Sequence, residues 1–190
     1  MPLYLPSRDE VLAVAERAKL SNTHPDAGPS LIKKLHKPPS DWEERIQHDV
    51  PGLVWTVASD TCMTGRPNAP DNIGYDEYGA EFVFRQPRNE AELVGIMRAD
   101  SEEVFACYRF DGVDRWTANL VDCWHNNTVH VITGWLRDLH LRERGTALGE
   151  SAHAYLTFLR SEEFKEYLLG LEAFLAGPKR STLRRGKGSG

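Results

Sequence analysis

RWTANLVDCWHNNTVHVITGWL, residues 115–136, is the stretch on which the fold turns. Read by residue preference it is two strands, RWTANLVDCW (115–124) and TVHVITGWL (128–136). Valine, isoleucine, threonine and tryptophan all suit a pleated, half-buried surface. Asn126-Asn127 then supplies a tight turn, because asparagine tolerates positive φ. Residues two apart share a strand face, so Cys123 and His125 point the same way. A histidine beside a thiol can favour the thiolate, and both side chains are zinc ligands. Their spacing matches no mechanistic motif, however. The expectation is a β-hairpin with Cys123 as a small core residue, and with no catalytic residue and no metal.

The same reading extends outward. LVWTVAS (53–59), AEFVFRQ (80–86), ELVGIMR (92–98) and EVFACYRF (103–110) are predicted as strands, and Asp111-Gly112 as a hairpin turn. Short connections imply antiparallel neighbours. Helical signals flank this region. Ser7 and Glu10 have capping-box spacing, ahead of an apolar stripe at Val11, Leu12, Val14, Ala15 and Ala18. Short helices are predicted at 30–37 and 41–48, stopped by Pro38-Pro39 and Pro51-Gly52. Residues 145–160 and 161–176 carry apolar spacings of three and four, as one long helix or two with a break near Arg160. The predicted fold class is therefore α+β. An antiparallel meander of about five or six strands (53–136) is packed by the N-terminal helices and a long C-terminal helical segment.

Composition bounds the function. Of 190 residues, 41% are hydrophobic and 27% charged, which is enough apolar side chain for one packed domain, predicted at 1–178. The net charge of −5 is uneven: five of the 23 basic residues lie in the last twelve positions, which hold no acid. The rest sets 18 basic against 28 acidic residues. An acidic body argues against nucleic-acid binding, except through the basic tail predicted as flexible at 179–190. No apolar run reaches membrane-spanning length, and MPLYLPSRDE lacks the pattern of a secretory signal. Three separated cysteines suggest no disulfide framework, so a cytoplasmic setting is expected.

Residues 60–79, DTCMTGRPNAPDNIGYDEYG, show no periodicity. Long loops in compact domains are enriched in function. Tyr75, Asp76, Glu77 and Tyr78 put two aromatics around two acids, a good recognition surface. The principal expectation is thus a non-catalytic interaction module of adaptor, inhibitor or immunity type, with no cofactor. It would bind a basic protein partner through loop 60–79.

Two alternatives accompany it. Arg142-x-x-Gly145-x-Ala147 resembles the Arg/Gln-x-x-Gly-x-Gly/Ala loop of GNAT-family acetyltransferases. In that family the loop follows a strand, opens a helix and holds the pyrophosphate of acetyl-CoA with its backbone N–H groups. The resemblance implies an acyl-CoA-dependent N-acetyltransferase, with the cofactor at Arg142, Gly145 and Ala147. The strand order followed by a long helix, with aromatics at Trp55, Phe82, Phe84, Phe105, Tyr108, Trp116 and Trp135, resembles the helix-grip fold of START-like proteins. That likeness implies a cup for a small apolar molecule.

Overall fold

The computed structural model describes residues 3–20, 31–36 and 41–177. The predicted tail at 179–190 and the predicted helix stop at Pro38-Pro39 lie outside them. Helix α1 (Arg8–Arg17) starts where the capping box places it: the Ser7 amide donates to Glu10 and the Glu10 amide to Ser7 Oγ. Helix α2 (Leu31–His36) follows, and 41–48 forms only a short 3₁₀ turn at Trp42–Glu44. The remaining elements are β1 (Trp55–Thr56), α3 (Gly65–Asn68), β2 (Ile73–Tyr75), β3 (Glu81–Val83), α4 (Glu90–Glu102), β4 (Tyr108–Arg109), α5 (Gly112–Arg115), α6 (Ala118–Arg142), α7 (Ala147–Leu159) and α8 (Glu162–Ala176). No helix among the described residues is long and apolar enough to cross a membrane.

The expected meander of five or six strands is not present. The described residues hold two antiparallel ribbons of two strands each. β1 pairs with β4 (Trp55 opposite Arg109), and β2 with β3 (Ile73 opposite Val83). Residues 92–98 belong to α4. Residues 115–124 and 128–136 are largely one helix, α6, of 25 residues. Its apolar side chains Val121, Trp124, Ile132, Leu136 and Leu139 recur at helical spacing and are all buried. Burying that stripe outweighs the few tenths of a kcal/mol per residue by which valine or threonine disfavours a helix. Asn126-Asn127 makes no turn. Asn127 Nδ2 donates to the Cys123 carbonyl at 3.0 Å and Asn126 Nδ2 to Asp122 at 2.9 Å, each one helical turn back. Asp111-Gly112 opens α5 instead of a hairpin. A side chain at Gly112 would lie 2.0 Å from the Gly52 carbonyl, so glycine serves a close backbone crossing there.

The C-terminal helices agree with expectation, and the chain does break near Arg160. Ser161 Oγ accepts the Phe164 amide at 3.2 Å and starts α8 as a separate helix.

Strand β3 lies between two cores. Its alternation sends Val83 into a core with Val11, Val14, Ile73, Ile96 and Met97, while Phe82 and Phe84 enter a second core with Trp124, Leu136, Tyr155, Phe158 and Leu171. Helices α1, α2 and α4 pack on the first face, and α6, α7 and α8 on the second. Between them the chain is irregular, so side chains satisfy its backbone. Gln86 accepts the Val54 amide at 2.8 Å and donates to the carbonyls of Val50 and Val54, both at 2.7 Å. Asp49 accepts the amides of Thr56 and Val83, both at 2.7 Å.

Candidate functional site

Loop 60–64, the β2–β3 turn and the segment 103–106 meet at one edge of the molecule. The turn is made by Asp76, whose Oδ1 accepts the amides of Tyr78 at 2.9 Å and Ala80 at 2.8 Å. This lifts Tyr78 outward, and it is 77% exposed. Tyr75 goes the other way. It is buried, donates its hydroxyl to the Met63 carbonyl at 2.6 Å and accepts the Arg66 amide at 3.0 Å. Glu77 is exposed and accepts the indole N–H of Trp135 at 2.8 Å, which ties the turn to α6.

Two acids fasten the other segments to each other. Asp60 accepts the Cys62 amide at 2.8 Å and the Val104 amide at 3.1 Å. Glu103 accepts the Asp60 amide at 2.9 Å and the Cys107 amide at 2.8 Å. A side chain at Gly79 would sit 3.1 Å from both Met63 and the Thr61 carbonyl, so the turn lies directly on loop 60–64. The brace thus holds Val104 and Phe105, 39% and 64% exposed, against loop 60–64, on which the β2–β3 turn also lies.

The backbone here is strained. Thr61, Met63 and Ala106 have φ of +64°, +60° and +52°, three of the four positive values at non-glycine residues among those described. Such conformations cost of order 1–3 kcal/mol each and persist only where the surroundings impose them. Threonine pays most, because its branched Cβ crowds the left-handed region.

The titratable groups are committed to structure. Burial pushes the Glu81 carboxyl up, although it accepts the Gly65 amide at 2.7 Å and the Tyr108 hydroxyl. Burial also raises Glu103, against the pull of its backbone donors. The negative charge of Asp60 raises the thiol of exposed Cys62, the opposite of what a thiolate nucleophile needs. Among the described residues no group of three histidines, cysteines or acids could hold a metal ion.

Of the residues singled out in the sequence, Asp76, Glu77 and Tyr78 come together at this edge, while Tyr75 is a core residue beneath it. Arg142, Gly145 and Ala147 lie elsewhere, at the hairpin between α6 and α7. Arg142 ends α6, Ala147 begins α7, and Gly145 adopts φ of +79° to turn the chain. A helix, not a strand, precedes that loop, so the scaffold implied by the acetyltransferase resemblance is not there. Two-stranded ribbons likewise build no helix-grip cup. Cys123 and His125 are both exposed on α6, and residues two apart on a helix face apart. The sequence places Val104 and Phe105 inside a strand, with Phe105 among the cup aromatics, and does not signal that they lie at this edge. The trace they leave is an apolar pair directly after the acidic end of a helix, Glu102-Glu103. No known protein family, curated protein or solved structure matches the chain.

Proposed function

We propose that the chain is a non-catalytic protein-interaction module. It binds a basic protein partner through the edge formed by residues 60–64, 76–79 and 103–106. The observation that carries this reading is the exposure of Tyr78 and Phe105, 77% and 64%, on loops that hydrogen bonds and strained backbone hold in one shape. An ordered aromatic gives contact area at little further entropy cost, and preorganised loops lose little freedom on binding. Asp76 and Glu77 directly precede Tyr78, and Glu102 stands three residues before Phe105, so the flanking charge is of one sign, which favours a basic partner.

A photo-cross-linking residue placed at position 78 of the full chain, in living cells, tests the proposal. The expected adducts join segments rich in lysine and arginine, and Phe105→Ala or Glu77→Lys abolishes most of their yield. Adducts indifferent to both substitutions, or none at all, overturn the reading. Stability separates the two tyrosines. Tyr78→Ala leaves the unfolding free energy within about 0.5 kcal/mol, as for exposed positions in general. Tyr75→Ala lowers it by about 3–5 kcal/mol, as for other large aromatics removed from a core. Equal losses in a denaturant titration would contradict the assignment of Tyr78 to the surface role.

A further inference from the structure

His48 stands behind the turn that presents Tyr78. Its ring stacks on Trp135 with centroids 4.1 Å apart and planes 7° from parallel, and it meets Phe82 edge-on at 5.6 Å. Trp135 in turn donates to Glu77. A continuous contact therefore runs from His48 through α6 to the acidic turn. The charged groups that face the imidazole, Asp76 and Glu77, both come from that turn. The neighbouring element α7 contributes the Tyr155 hydroxyl, which donates to the His48 carbonyl at 2.9 Å and is kept protonated by burial. From β3 and α6 come the uncharged rings of Phe82 and Trp135. Burial holds the imidazole below its ordinary value, and the two carboxylates oppose that effect.

We propose that protonated His48 competes with the partner for the carboxylates of Asp76 and Glu77, so that the edge holds a basic partner near neutral pH and releases it in acid. This rests on the partner-binding reading of the edge. A partner cation that neutralises Asp76 and Glu77 removes the attraction that favours the imidazolium. By linkage, the imidazolium weakens the partner to the same degree. No loop has to move, because the imidazole already stacks on Trp135, the side chain that donates to Glu77 of the turn. The effect is short-ranged and fades in high salt.

The probe is a blocked octapeptide of alternating arginine and leucine, whose charge is constant over the range used. Calorimetry on the full chain is expected to show binding about tenfold weaker at about pH 5 than at about pH 8, because burial moves the change of charge to the acid side of histidine's ordinary range. His48→Phe keeps a ring against Trp135 and is expected to lose most of that ratio. A ratio unchanged by His48→Phe overturns the competition and leaves the edge standing as a binding site. Failure of the peptide to bind at either pH, or equal binding to the Tyr78→Ala, Phe105→Ala double variant, overturns both. A second measurement needs no peptide. Glu77→Gln keeps the acceptor for Trp135 and is expected to lower the NMR titration midpoint of His48 by about half a pH unit or more, through the lost charge. An unshifted midpoint overturns the competition on its own.

Discussion

The two faces of β3 look onto cores of different construction. On the side of α6, α7 and α8, Ser151 is the only buried polar side chain among the described helical residues. On the other side Lys34 and Asp100 form a buried ion pair, and Lys34 also donates to the carbonyls of Ala106 and Tyr108, both at 3.1 Å. Glu81, Glu103, Thr56 and Ser59 are buried there as well, with Asp49 between the layers. The difference follows from the backbone. A long helix satisfies its own amides and carbonyls, so its core can be apolar throughout. The N-terminal half has strands of two or three residues and long connections, so its buried amides need side-chain acceptors, and carboxylates supply them.

This contrast predicts different responses to substitution. The largest is expected at the ion pair. Asp100→Ala leaves Lys34 buried without its carboxylate and should cost about 4 kcal/mol, whereas Lys34→Met with Asp100→Leu should cost far less. Denaturant unfolding of the three proteins checks this, and a double variant as unstable as the single one would show that the charges themselves are needed. Next comes the apolar side. Leu136→Ala, fully buried in α6, should lower stability by about 3 kcal/mol through lost burial and a residual cavity.

The smallest expected effect separates the halves by pH. Burial pushes Asp49 up to about 7, against hydrogen bonds from Val83 and Thr56 and the nearby charge of Arg45. Its value in the folded chain therefore exceeds its unfolded value near 4. The folded state holds the proton more tightly, so this contribution is fully present below about pH 4 and is lost as pH rises through about 7. Buried Glu81 and Glu103, also raised, act in the same direction. Between about pH 5 and 8 the unfolding free energy should fall by about 2 kcal/mol, and Asp49→Asn should flatten much of that slope. A slope untouched by Asp49→Asn would place the pH sensitivity elsewhere.

Local signals in the sequence were readable where one rule acted alone. Ser7 with Glu10 announced α1, and the apolar spacing of 145–176 announced α7 and α8. The strand signals at 53–59 and 80–86 were real, but only Trp55–Thr56 and Glu81–Val83 pair. The reading failed where preference and periodicity disagreed. In α6 valine, isoleucine and threonine suggested strands, while Val121, Trp124, Ile132, Leu136 and Leu139 kept a helical period. In α4, Asn89 caps the Glu92 amide at 3.0 Å, and acids at Glu90 and Glu92 suit a helix start. That signature was present and outvoted by ELVGIM. At the edge, Asp76 to Tyr78 were legible because turn chemistry is local. Phe105 was not, since only the Asp60–Glu103 brace, 43 residues apart in sequence, brings it there.

The pairing of β1 with β4 has a consequence in time. Trp55 finds Arg109 only after the intervening chain has closed a loop of some fifty residues. The three C-terminal helices, by contrast, are sequence neighbours whose contacts close quickly. The half of the molecule that leaves the ribosome first is thus expected to be the half completed last, with the cost of dehydrating its carboxylates falling late.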